Sequence, residues 1–177
     1  GARMKVTSYN PAMRKINYLI GDATKQLARG PLLIPHICND LGAWGAGFVL
    51  AITKRWPEPE VAYRAWHKEH SDKIAGRFGL GNVQFVKCKG DVTIANMIAQ
   101  HNVRPLEGKL PIRYDALEVC LNKVAEYAIA NKQAIQMPRI GTGLAGGLWE
   151  KIEPIIEKTL CAKDLEVSVL DLTPQVD

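Results

Sequence analysis

The chain has 177 residues, 47% of them hydrophobic and 23% charged, with 23 Lys and Arg against 18 Asp and Glu for a net charge of +5. That length suits one domain with a sizeable core, and the apolar content excludes a mainly disordered chain. No apolar run reaches the roughly 18–20 residues of a membrane span, and the polar start from Gly1 to Asn10 lacks a secretory h-region, so a cytoplasmic protein without membrane association is expected.

Residues 1–14 read as an N-terminal extension, with Gly1-Ala2-Arg3 ahead of Met4 as a remnant of expression, and 15–177 as a single domain. Ile16–Ile20 and Leu32–Ile37 read as strands, separated by a short Lys25–Gly30 segment. A glycine-rich stretch, Gly42–Gly47, precedes a helical pattern from Phe48 to Trp56 that stops at Pro57. A second helix follows from Glu60 to His70, with Val61, Tyr63 and Trp66 as inner positions, and then a turn region over Gly76–Gly81. Val83–Lys87 and Val92–Met97 predict a hairpin across Cys88–Asp91. After a polar loop, His101–Leu110, the residues Leu117, Leu121, Val124 and Ala128 fall at helical spacing in a segment running from Pro111 to Asn131. Ala134–Met137 is a short strand, followed by a second glycine cluster, Gly141–Gly147. A last helix, Leu148–Ala162, feeds a closing strand, Glu166–Leu172. This order predicts a three-layer α/β/α domain with a mixed central sheet.

The positive balance favours an anionic partner. The basic residues are scattered and not interleaved with aromatics, so a nucleic acid ranks behind a phosphorylated small molecule. Cys38, Cys88, Cys120 and Cys161 stand far apart without a C-x-x-C pair, which argues for reduced thiols and against a structural zinc site. His67 and His70 read as a solvated helix face, and no metal or cofactor is expected.

Both glycine clusters follow a strand and precede a helix. Glycine there permits positive φ and brings main-chain N–H groups close to a ligand, while the helix adds its unpaired N–H groups and positive dipole end. Two such loops suggest a diphosphate clamp rather than two tight turns. Gly141-x-Gly143-x-x-Gly146 matches the dinucleotide fingerprint, but only 31 residues follow it, too few for the remaining strands of a dinucleotide fold. Asp22, just after the first strand, has two roles open: accepting a hydrogen bond from an exocyclic amine such as adenine N6, or capping a short helix that follows.

Four segments together resemble the macrodomain family, the ADP-ribose-binding fold: Gly21-Asp22-Ala23, His36–Gly47, Ala95–Gln100 and Met137–Trp149. The likeness runs from Lys15 to Leu172. It is greatest to the branch holding the terminal ADP-ribose protein glycohydrolase and the ADP-ribose-1″-phosphate phosphatases, and within it to bacterial stand-alone proteins.

The resemblance implies a division of labour. Asp22 would bind the adenine amine with the Ala23 N–H beside it, and Asp171 or Leu172 would flank the adenine. The loop from Asn39 through Gly42, Trp44, Gly45, Ala46 and Gly47 would hold the distal ribose, with Asn39 on its hydroxyls and Trp44 either over it or packed on a helix. N–H groups of Gly141, Thr142, Gly143, Leu144, Ala145 and Gly146 would wrap the diphosphate. Arg139 would meet a phosphate or form a salt bridge below the loop, and Ile112-Arg113-Tyr114 would close over the ligand. Where the glycohydrolase uses a lysine and an aspartate, this chain holds Gln100 and Ala145, so a covalent lysyl mechanism is not expected. Phosphatase-like members place His and Asn where His36 and Asn39 stand. His36, Asn39 and Asp40 are therefore the candidate catalytic residues, with a buried structural role the alternative for His36 and a backbone-bonded turn for Asp40. The expected function is hydrolysis of ADP-ribosyl linkages at the distal ribose, with ADP-ribose and ADP-ribosylated proteins as partners of a monomer. The alternative is a reader that binds without turnover.

Overall fold

The computed structural model describes residues 14–27, 29–70 and 78–175. Six strands, β1 (Asn17–Ile20), β2 (Leu32–Asn39), β3 (Val83–Cys88), β4 (Val92–Gln100), β5 (Ala134–Met137) and β6 (Val167–Asp171), form one sheet in the order β1-β6-β5-β2-β4-β3. Neighbours run parallel except β3 and β4, which form the expected hairpin. Among the described residues four helices cover the sheet: α1 (Phe48–Arg55), α2 (Glu58–His70), α3 (Tyr114–Ala130) and α4 (Trp149–Thr159).

Side-chain alternation along the central strands sorts two cores. Leu33 and Met97 face α3 and α4, meeting Leu117, Leu121 and Ile152. Leu32, Ile34, Ile94 and Ile98 face α1 and α2, meeting Ile52 and Tyr63. β4 is buried along its whole length, as a strand covered on both faces must be. The fold is the expected α/β/α sandwich with a mixed sheet.

Several boundaries differ from the sequence reading. β2 runs on to Asn39 and β4 to Gln100, because these two polar residues pair with each other across a bulge at the strand ends. His36 is therefore within a strand and not at its end. Val61 is 67% exposed while Tyr63 is fully buried, so the inner stripe of α2 is offset from the one expected. No helix follows Asp22 among the described residues. The last helix stops at Thr159, and a short 3-10 turn, Cys161–Lys163, ends at Asp164 with φ +62°. The expected turn over Gly76–Gly81 lies partly outside the described residues; from Gly79 onward it is present, with Asn82 N–H donating to Gly79 O.

β2 pairs with β5 only at Leu32 and Leu33, and beyond that point it keeps β4 as its neighbour. The chain leaves β2 toward α1 on one face and leaves β5 toward α4 on the other. Adjacent parallel strands whose connections diverge in this way open a crevice at their carboxyl ends.

Candidate functional site

A cavity of about 840 Å³ fills that crevice, within the range of small-molecule sites. Its wall combines the end of β2, the loop after it, Gln100, Val103, the loop after β5 and the end of β6.

The loop after β5 is a tied knot of backbone. Gly147 N–H donates to Gly141 O at 2.7 Å, Gly146 N–H to Gly143 O at 3.0 Å, and Thr142 Oγ1 to Arg139 O at 2.8 Å. Ile112 N–H donates to Ala145 O at 3.1 Å and Leu148 N–H to Tyr114 Oη at 3.1 Å. The Ile112–Tyr114 segment thus buttresses the loop from beneath and is not a lid. The N–H groups of Gly141, Thr142, Gly143, Leu144 and Ala145 have no acceptor among the described residues, and all five residues line the cavity. Gly146, expected beside them, is off the wall and lies against Leu110.

Facing this loop, Gly45, Ala46, Gly47, Phe48 and Val49 line the opposite wall, and their N–H groups likewise have no acceptor among the described residues. Leu144 bridges the two loops, its Cδ1 standing 3.9 Å from where a Cβ on Gly47 would lie. Asn39 builds this loop. Its Oδ1 accepts the N–H groups of Leu41 and Ala43, both at 3.0 Å, and its Nδ2 donates to Ala43 O at 2.8 Å. Tyr63 donates its buried hydroxyl to Asn39 O. The sequence left Tyr63 as a core residue only; nothing local marks it as the support of a loop 24 positions away. Tyr63→Phe leaves a buried carbonyl short of a donor, so a stability loss of about 1–2 kcal/mol is expected in urea unfolding.

Two residues expected in this loop's share of the site are placed elsewhere. Trp44 is 3% exposed; its Nε1 donates to Thr53 Oγ1 at 2.7 Å and its ring sits between His36 and Tyr63, so it is core rather than a cover for a sugar. Gly42, at φ +75°, packs against His67 and is not on the wall. That contact also makes His67 more than a solvated face.

The candidate catalytic groups are committed. His36 is fully buried and bonds Asn96 Oδ1 through Nε2 at 2.5 Å. Asn96 uses its Nδ2 on Pro59 O and Gln84 Oε1, so its oxygen faces the imidazole and Nε2 is the protonated nitrogen. Burial pushes the His36 pKa down to about 4, against the opposing pull of the Asn96 bond. A neutral, weakly basic ring results, which is a poor general base. Asp40 is not on the wall; its carboxylate accepts from His101 Nδ1 at 2.6 Å and from Asn102 N–H at 2.8 Å. Cys38 lines the cavity, but burial raises its thiol pKa and removes it as a nucleophile.

At the other end of the cavity, Arg139 makes a two-pronged salt bridge to Asp171, Nε to Oδ1 at 2.9 Å and Nη2 to Oδ2 at 3.2 Å. Its guanidinium lies 5.1 Å from the Tyr18 ring centre and 5.2 Å from that of Trp149. Arg139 is the one Lys or Arg in the wall among the described residues, and it is already neutralised. Leu172 lines this end and is 78% exposed. Asp22 and Ala23 follow β1, whose Ile20 pairs with Asp171, but neither is on the wall. The Asp22 carboxylate accepts Thr24 N–H and Oγ1 through Oδ1, and these bonds hold its pKa below the usual range, Arg55 adding to the effect. Among the described residues Oδ2 has only Arg55, at 3.5 Å.

No protein-family model matches the chain. A structure of a protein of unknown function from Bacteroides thetaiotaomicron is 49% identical and superposes with a TM-score of 0.84, covering 89% of this chain and 98% of that one. The structure of a macrodomain protein from Streptomyces coelicolor is 45% identical with a TM-score of 0.76, covering 89% and 99%. Chromodomain-helicase-DNA-binding protein 1-like of Mus musculus is 31% identical over 164 residues, but the chain spans only 17% of that protein's length. ADP-ribose 1''-phosphate phosphatase of Meyerozyma guilliermondii is 24% identical over 168 residues, covering 82% of this chain and 94% of that protein.

Proposed function

The chain belongs to the macrodomain family, and from that premise we propose that the cavity binds ADP-ribose and that the protein hydrolyses ADP-ribosyl linkages at the distal ribose. The substrates are mono-ADP-ribose on acidic protein side chains and the related acyl or 1″-phosphate esters. One observation carries the reading: two facing loops contribute backbone N–H groups without internal acceptors, in a cavity whose only Lys or Arg among the described residues is paired. Neutral dipoles of this kind suit a diphosphate, which they hold without the fixed geometry of an ion pair. The adenine then extends toward Leu172 and the Asp22 side of β1, and the distal ribose toward Asn39, Gln100 and Val103. The likeness to an ADP-ribose 1''-phosphate phosphatase supports the same ligand.

Hydrolysis needs no protein nucleophile. Water adds to the acyl carbon or phosphorus, the bond to the ribose oxygen breaks, and that oxygen takes a proton. The loops contribute positioning and dipoles aimed at developing negative charge. Gln100 and Ala145, standing where the glycohydrolase branch has Lys and Asp, fit this direct route.

A second reading, a reader without turnover, is favoured by one specific observation: among the described residues the wall holds no effective general base, because burial makes His36 a weak proton acceptor and Asp171 is bound to Arg139. Calorimetric titration tests the ligand, and release of ADP-ribose from an ester-linked protein tests the turnover. ADP-ribose is expected to bind at least tenfold more tightly than AMP, and Asp22→Ala to weaken it by about tenfold, the loss of one charged hydrogen bond. Equal affinity for AMP and ADP-ribose sinks the two-loop clamp; tight binding with no ester cleavage selects the reader.

A further inference from the structure

Asp40 and His101 stand next to the wall, yet the binding scheme above leaves them without a role. Asp40 follows Asn39 at the end of β2 and His101 follows Gln100 at the end of β4; Asn39 and Gln100 are register partners and both line the cavity. Neither Asp40 nor His101 lines the cavity; the pair directly follows these two wall residues in the chain, and Val103 is on the wall again two residues after His101. Both partners are fixed. Asp40 N–H donates to Gln100 O at 3.0 Å, its Oδ1 accepts Asn102 N–H, and His101 N–H donates to Pro111 O at 2.8 Å. Asp40 Oδ2 accepts from His101 Nδ1 at 2.6 Å, which in the neutral ring puts the proton on Nδ1 and the lone pair on Nε2. Nε2 has no partner among the described residues, and the imidazole is 44% exposed while the carboxylate is only 17% exposed. A sheltered carboxylate orienting an accessible imidazole is the arrangement of a general acid–base pair.

We propose that His101 is the proton-transferring catalytic residue of the hydrolysis and that Asp40 is its positioning residue, acting on ester-linked ADP-ribose whose acyl group leaves the cavity beside this pair. The inference rests on the hydrolase reading above. As water attacks the acyl carbon, its proton passes to His101 Nε2 and the imidazolium is stabilised by Asp40. The tetrahedral intermediate then collapses, the bond from carbon to ribose oxygen breaks, and Nε2 returns the proton to that oxygen. Products are ADP-ribose and a free carboxylic acid, and the histidine ends neutral as it began.

The test measures ester cleavage on an ADP-ribosylated protein and ADP-ribose affinity in parallel for the full chain. His101→Gln is expected to lower kcat by about 100-fold, leaving KM and ADP-ribose affinity within about threefold. Asp40→Asn, which presents the wrong group to Nδ1, is expected to lower kcat by at least about tenfold with the same split. Free imidazole is expected to restore part of the kcat lost in His101→Ala. An active parent whose His101→Gln variant keeps its kcat overturns the inference and leaves the hydrolase reading intact. A variant that loses ADP-ribose affinity or thermal stability to the same degree as kcat also overturns it, since the pair is then structural. A parent that binds ADP-ribose but cleaves no ester overturns the hydrolase reading and this inference with it.

Discussion

Gly141→Ala is expected to destabilise the protein by about 3 kcal/mol and to abolish tight ADP-ribose binding. Two costs combine at this one position. Gly141 has φ +78°, a conformation that costs an L-residue roughly 1–2 kcal/mol. A Cβ there would also stand 2.8 Å from Ile112 Cδ1 and 3.0 Å from both Ile152 Cδ1 and Ile37 Cδ1. Ile112 and Ile152 are buried in the core and Ile37 is partly buried beside it, so relief requires shifting packed side chains, at roughly 1–3 kcal/mol for an overpacked site. For a chain of this length the sum is a fall in Tm of about 10 °C. Gly143→Ala is the control, because its Cβ meets nothing within 4 Å and its φ lies outside the positive range. Its stability is expected to stay within about 0.5 kcal/mol of the parent. A Gly141→Ala protein that melts with the parent would falsify the knotted geometry of this loop.

Acid sensitivity is expected to come in large part from His36. Its pKa falls from the ordinary 6.5 to about 4 on folding, because burial penalises the charged ring. Between those values the unfolded chain takes up a proton that the folded chain refuses, so stability is full above about pH 6.5 and is lost as the pH falls toward 4. At about 1.4 kcal/mol per unit, going from pH 7 to pH 4.5 removes about 2–3 kcal/mol. His36→Gln keeps an N–H for Asn96 but does not titrate. It costs stability at both pH values, and the difference between the two urea midpoints shrinks by that 2–3 kcal/mol. Asp22, whose carboxyl is held down by Thr24, also loses stabilisation as acid is added, but equally in both proteins. An unchanged pH slope in His36→Gln would mean that the ring titrates alike in the folded and unfolded chain and is open to catalysis after all.

These two positions show how differently the motif residues were legible. Gly141 sits where a glycine cluster separates a strand from a helix, and that pattern is local, so its place in a ligand loop could be read from neighbouring residues alone. His36 and Asn39 also sit in a recognisable segment, yet their partners do not. His36 bonds Asn96, 60 positions on; Asp40 bonds His101, 61 positions on; Arg139 bonds Asp171, 32 positions on. Each pairing depends on which strands are neighbours and in what register. Trp44 shows the same limit from the other side: a tryptophan among glycines suggests a ligand cover, but Thr53 and the rings of His36 and Tyr63 draw it into the core.

The amino-acid sequence by itself determined the strands and helices, their order, and the two glycine loops, because periodic burial and permitted dihedral angles are properties of short stretches. Only the tertiary structure decided which polar side chains of those stretches remain available to a ligand. A buried or half-buried polar group must find a partner, and that partner is supplied by whatever residue the packed sheet brings alongside. Here the sheet assigned Asn39 to its own loop, Arg139 to Asp171 and His36 to Asn96, and left the loop amides and His101 Nε2 without partners among the described residues.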